Sequence, residues 1–291
     1  MGCGSIDLDW GETMDTAASR SSSYALGHSA QELARLNRQG QIFAPFTRQL
    51  FEQAGIGLGM RILDVGSGAG DSSFLASELV GDSGRIVGVD RSEEAVAWAN
   101  RRATSEQIEN IEFVQGDPTD MEFSDRFDAV VGRFVLMYYP DPAAAVRKLA
   151  RHLRPRGLMV FQEFDMEYFG SRPAACTVER AAELVKHTLQ AAGTRIRLGT
   201  ELYSVFLAAE MPAPSLRMDI MIGGGAAFPY ELLAGTIQSL LPAMEQLGIA
   251  TAAELGIPTL VGRMREEVIA AKGVALSPAL VGAWSQKSDA R

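Results

Sequence analysis

Asp64 is followed at alternate positions by Gly66, Gly68 and Gly70, between the strand-like run Arg61–Val65 and the apolar run Phe74–Val80. This reads as strand, glycine turn and helix, an arrangement that brings a ligand close to the backbone. The dinucleotide fingerprint G-x-G-x-x-G lays a pyrophosphate on a helix N-terminus. Here a carboxylate stands just before the turn, where it would repel phosphate and accept hydrogen bonds from an ammonium group. Asp71, at the mouth of the helix, points the same way. The expected ligand is an adenosyl group with a cationic tail. More polar groups end other short apolar runs: Asp90 after Arg85–Val89, Asp117 after Ile111–Gly116, Arg133 after Phe127–Gly132, and Glu163 in Leu158–Phe164. Asp90 lies about 20 residues beyond the turn, where doubly wound nucleotide folds carry a ribose-binding acid.

The elements that must position these groups alternate. Helices are expected over Ser72–Val80, over Ser92–Thr104 with Ser92 as cap, and over Ala143–Leu153 entered through Asp141 and Pro142. Strand–helix alternation predicts a parallel sheet with right-handed crossovers and ligands at the carboxyl ends of its strands. Upstream, Ser29 caps a helix running toward Gln39, and a second helix covers Ile42–Ala54 with Phe43, Phe46, Leu50 and Phe51 as an apolar stripe. Downstream, helices are expected over Val178–Ala192, Thr200–Ala209, Tyr230–Leu247 (kinked or broken at Pro242) and Pro258–Lys272. Strands are expected over Ser215–Ile222 and Ala279–Trp284.

With Asp64, Gly66, Gly68 and Gly70 as a first motif, the chain resembles the class I S-adenosylmethionine-dependent methyltransferases. Asp90, Asp117, Phe127–Pro142 and the turn Leu153–Gly157 match the later motifs in order, with Arg156 where a glycine is usual. The resemblance implies a doubly wound, mostly parallel seven-stranded sheet, the last strand inserted antiparallel between the fifth and sixth. It implies S-adenosylmethionine as cofactor, S-adenosylhomocysteine as its product, and a cofactor set of Asp64, Gly66, Ser67, Gly68, Gly70, Asp90, Arg91, Asp117 and Pro118; Arg133 joins it as a holder of the cofactor carboxylate, the alternatives being a substrate anion or a structural ion pair. In that set Asp90 holds the ribose hydroxyls and Asp117 faces the adenine amino group. Tyr138 and Tyr139 occupy a loop where related enzymes place substrate-facing groups, and Glu163 is a candidate for substrate recognition or base work. The domain reading is a tail over 1–23, a helical lid over 24–58 and a methyltransferase domain over 59–291, with cap helices within about 165–275. Tyr24 and His28, four apart on the lid, are the candidate catalytic pair, one covering the methionine end and the other moving a proton. His152 is expected to be a surface or helix-end residue, and His187 to sit in mid-helix.

The closest group is the small-molecule one that includes ubiquinone/menaquinone and natural-product methyltransferases, on Val135–Pro142 and Tyr24–Ser29. The N/D-P-P-Y/F tetrapeptide of amino-directed enzymes is absent, the fourth motif reading Gly132-Arg-Phe-Val135. A net charge of −9 over 291 residues disfavours a duplex-binding surface. Twelve methionines and an apolar cap favour an apolar or aromatic acceptor, methylated on C, N or O. Cys3 and Cys176 stand in unrelated contexts, with neither metal spacing nor a disulfide framework, which suits a reducing cytoplasm. No apolar run reaches the ~18 residues of a membrane span, and the N-terminus carries no signal-peptide core. No metal site is expected. The lid's apolar stripe could equally be a homodimer surface. Competing readings are cyclisation or other non-methyl chemistry on the same fold, a non-catalytic binding module, and, more distantly, a dehydrogenase.

Overall fold

The computed structural model describes residues 30–289, with side chains from Gly40 onward. The expectations placed on the 1–23 tail, Tyr24, His28 and the Ser29 cap lie outside the described residues. The described chain forms two compact units, one of residues 30–168, 195–220 and 278–289, the other of 169–194 and 221–277. In chain order the elements are α1 (Ala30–Ala54), β1 (Arg61–Val65), α2 (Asp71–Val80), β2 (Arg85–Asp90), α3 (Glu93–Ser105), β3 (Ile111–Gln115), β4 (Phe127–Arg133), α4 (Pro142–Leu149), β5 (Leu153–Asp165), β6 (Gly170–Arg172), α5 (Cys176–Ala191), α6 (Leu198–Ala208), β7 (Ser215–Asp219), β8 (Ile222–Gly224), α7 (Tyr230–Gln246), α8 (Ala252–Leu255), α9 (Ile257–Ala270), β9 (Val274–Leu276) and β10 (Ala279–Gln286).

The larger unit is built on a seven-stranded sheet of order β3-β2-β1-β4-β5-β10-β7. Strands β3, β2, β1, β4 and β5 are parallel. β10 lies antiparallel between β5 and β7, as the resemblance implies. Strand periodicity sorts the side chains into two layers. Ile62, Ala129, Val131 and Val160 pack with α1, α2 and α3, whereas Leu63, Val65, Val130, Met159 and Phe161 pack with α4 and α6. Local chemistry starts the helices as expected. The Ser92 hydroxyl accepts from Ala95 N–H, and the Asp141 side chain accepts from Ala144 N–H with Pro142 in the first turn.

Three readings need correction. The two helices expected before β1 are one, because α1 runs through both Gly40 and Pro45. Gly40 is there for a close approach rather than a break, since a Cβ on it would stand 2.3 Å from Asp71 Oδ2. The strand expected over Ser215–Ile222 is two short strands in different units. In the smaller unit, β6, β9 and β8 form an antiparallel three-stranded sheet accompanying α5, α7, α8 and α9; strands of three residues carry no readable periodicity. Cys176, at the start of α5, is disulfide-bonded, contrary to the expectation of two unrelated thiols. No helix among the described residues is long and apolar enough to cross a membrane.

Candidate active site

The glycine turn follows β1 and is stitched to the end of β2. Gly66 and Ser67 N–H both donate to Val89 O, at 2.8 and 3.0 Å. Gly66 has φ +65, and a Cβ there would lie 2.3 Å from Val135 Cγ2, so only glycine fits. Asp90 braces the same turn, its Oδ2 accepting from Gly68 N–H at 2.8 Å and its Oδ1 from Ser92 N–H at 2.9 Å.

Beside the turn lies a buried polar group on the α1–α2 face of the sheet. Asp64 is fully buried. Its Oδ2 accepts from the Ser72 and Ser73 hydroxyls at 2.7 and 2.6 Å. Burial pushes its carboxyl up to about 6, against the pull of those hydroxyls and of Arg133. The Arg133 side chain, 9% exposed, stands 3.9 Å from Asp71, which Arg102 also pairs at 2.6 Å. Arg133 Nη1 donates to the Thr47 hydroxyl at 3.2 Å, and Thr47 donates to Gln162 Oε1 at 2.7 Å. Asp64 Oδ1, Ser67 Oγ and Gln162 Nε2 are buried with no partner among the described residues. Unsatisfied polar atoms are costly, and those of Asp64 and Ser67, at the glycine turn, fit a polar ligand.

A second group joins three loops. Asp117 Oδ1 accepts from the Tyr139 hydroxyl at 3.1 Å and Thr119 N–H at 2.9 Å. Its Oδ2 accepts from Arg91 Nε at 3.2 Å and from Arg91 Nη2. The Arg91 guanidinium carbon also lies 4.9 Å from the Tyr139 ring centroid. Burial would raise the Asp117 carboxyl, but the bonds from Arg91 and Thr119 outweigh it and hold it below its ordinary value. Burial and the Asp117 charge push the Tyr139 phenol up, so it stays a donor. Pro118 is buried one residue on, its carbonyl 2.8 Å from His152 Nε2. His152 ends the helical turn Ala150–His152, as one of its two expected placings has it, but in the core rather than at the surface, 4% exposed and edge-on to Phe123.

Glu163 belongs to neither group. It faces the α4–α6 side of the sheet and is fully buried. Its Oε1 accepts from Val135 and Leu136 N–H at 3.0 and 2.7 Å, Oε2 has no partner among the described residues, and burial pushes its carboxyl up to about 8. Its visible work is to grip the loop after β4. That loop begins with Phe134 at φ +57, the left-handed region, its ring stacked 3.8 Å from Phe164 with Phe43 edge-on to both. Tyr138 is half-buried on the same loop.

Thus Asp64 and Arg133 are brought together, Asp90 braces the turn, Arg91, Asp117 and Tyr139 form a cluster of their own, and Glu163 stands apart. Thr47 and Gln162 were not foreseen; the only trace of Thr47 is its place four residues after Phe43 on the buried stripe of α1. The donor set fits the cofactor that the resemblance implies. Carboxylates suit an ammonium, a ribose diol and an aminopurine, and Arg133 suits a carboxylate, whereas three acids around a glycine turn do not suit a pyrophosphate. No cluster of three or more metal-ligating side chains occurs among the described residues.

A family model described as a methyltransferase domain matches residues 56–208, more than half of the chain. The demethylmenaquinone methyltransferase of Staphylococcus aureus is 33% identical over 117 residues, covering 40% of this chain and 48% of that protein. The chain thus spans about half the length of the curated relatives it matches. Among solved structures, a putative methyltransferase from Bacillus halodurans superposes with TM-score 0.55 at 15% identity, covering 83% of this chain and 98% of that one. The cyclase SpnF does so with TM-score 0.51 at 21% identity, covering 86% and 82%. These two likenesses speak to fold alone. With its sheet order, its acidic glycine turn and a domain match over more than half its length, the chain belongs to the methyltransferase domain family, in its class I, S-adenosylmethionine-dependent form.

Proposed function

We propose that the protein transfers a methyl group from S-adenosylmethionine to a small aromatic or apolar acceptor, a secondary metabolite such as an indole or a phenol, on C, N or O. The observation that carries this reading is the buried, half-satisfied Asp64 beside Arg133 at the glycine turn, a pair of opposite charges suited to the amino-acid end of the cofactor. The cofactor supplies a sulfonium methyl and a neutral leaving group. The chain's own work is to orient and to exclude water, which can carry much of such a barrier. Asp64 holds the ammonium and Arg133 the carboxylate, Ser67, Gly68 and Gly70 line the turn, Asp90 takes the ribose and Asp117 with Pro118 the adenine. Tyr138 and Tyr139 face the acceptor. Tyr24 and His28, on a lid over 24–58, close the site and handle any proton, which Tyr24→Phe would test as lost turnover with unchanged cofactor affinity. The rest of the proposal is a cytoplasmic enzyme that engages neither nucleic acid nor membrane and can pair as a homodimer. A Cys176 disulfide persisting in protein isolated with its thiols trapped would count against the cytoplasm.

The test is calorimetric titration with S-adenosylmethionine and S-adenosylhomocysteine, then a screen of aromatic acceptors by product mass. Binding of both and a gain of one methylene unit are expected. Folded protein that binds neither refutes the reading. Cofactor binding with product of unchanged mass would turn it toward non-methyl chemistry such as cyclisation.

A further inference from the structure

In the proposed function Asp117 takes the adenine, and the role inferred here for Tyr139 rests on that reading. A carboxylate offers about four lone-pair sites, and those of Asp117 meet four donors: Tyr139 hydroxyl and Thr119 N–H on Oδ1, and Arg91 Nε and Nη2 on Oδ2. A purine amino group reaches this carboxylate by displacing one of them. Thr119 N–H is held in the turn that Asp117 opens, where Asp120 N–H returns to Asp117 O at 3.0 Å. Arg91 is charged and doubly bonded, the stronger kind of partner. The Tyr139 hydroxyl is neutral and singly bonded, so it yields first. Its loop is anchored three residues back, where Glu163 holds Leu136 N–H.

We propose that Tyr139 is an exchange partner for Asp117: the adenine amino group takes its place on the carboxylate, and the released phenol becomes available to the acceptor side of the loop. Cofactor occupancy then sets the position of a substrate-facing residue, and loading precedes acceptor binding. The exchange weakens cofactor binding by the strength of the displaced hydrogen bond. In Tyr139→Phe that competitor is gone, while the ring stays to pack against Arg91.

The experiment is a titration of wild type and Tyr139→Phe with S-adenosylhomocysteine and with its analogue lacking the purine 6-amino group. The variant is expected to bind S-adenosylhomocysteine about 10- to 100-fold more tightly, the value of one hydrogen bond to a charged group, and the analogue with unchanged affinity. In the Asp117→Ala background, which leaves the phenol no carboxylate, the gain should disappear, a coupling that a general change in folding would not produce. Equal or weaker binding of S-adenosylhomocysteine by Tyr139→Phe, or an equal gain for both ligands, overturns the exchange while leaving the methyltransferase reading intact. Failure of folded wild type to bind S-adenosylhomocysteine at all overturns that reading, and the exchange with it.

Discussion

Replacing Glu163 by glutamine separates charge from geometry at one buried carboxyl. Oε1 still accepts from Val135 and Leu136 N–H, the side chain keeps its size, and only ionisation is lost. The wild-type group sits at about 8 instead of 4.5, burial outweighing its backbone bonds. A carboxyl whose folded value is raised costs nothing while it is protonated in both states. The cost begins as pH rises through the unfolded value, grows with pH, and levels off above the folded one. Between pH 5 and pH 9 the wild type should lose about 4 kcal/mol of stability that Glu163→Gln does not lose. In melting temperature the two proteins should be close at pH 5 and diverge by on the order of 10 °C at pH 9, the variant being higher. Scanning calorimetry of both proteins across that range measures it. Parallel pH profiles would refute the assignment of a neutral, loop-gripping carboxyl. A variant less stable at every pH would show instead that the glutamine amide has no room where Oε2 now sits.

The same geometry sets three further outcomes. Asp90→Ala should weaken S-adenosylhomocysteine binding by about 1–3 kcal/mol, because Gly68 and Ser92 N–H lose their acceptor along with the ribose; calorimetric titration reads it. Affinity for the same ligand should fall as pH drops through about 6, where Asp64 protonates, by up to about tenfold per unit below that point, and Asp64→Asn should flatten the profile. Arg156 has φ +60 at the turn where related chains carry glycine, so Arg156→Gly should raise stability by about 0.5–1 kcal/mol, seen in denaturant midpoints at unchanged m-value.

What the sequence could yield was governed by the range of the interactions. The acidic glycine turn, the caps at Ser92 and Asp141 and the placing of β10 rest on neighbours within a few residues or on a motif order that survives divergence. The continuity of α1 did not, because Gly40 and Pro45 both look like breakers; what keeps the helix whole is packing against Asp71 and the sheet, which propensity does not contain. Thr47 and Gln162 meet across 115 positions, and neither residue type announces the other. Glu163 was legible as a strand-end acid but not as a group facing away from Asp64, since one step along a strand reverses the face. His152 was legible as a helix-end residue but not as a buried one, since its burial depends on Phe123 and Pro118 arriving from the β3–β4 connection.

The placing of β10 bears on how the protein is made. β1 to β5 pair with one another as they emerge from the ribosome, each new strand finding a partner already present. β7 has a single partner in the sheet, β10, and β10 is also what joins it to β5. Ser215–Asp219 must therefore wait, its backbone unpaired, while the whole segment 221–278 is synthesised. During that interval β5 is an open edge, and open edges invite association between nascent chains. The strand that completes the sheet is thus also the step at which synthesis is most exposed to failure, and chaperone demand should peak before residues 279–286 leave the exit tunnel.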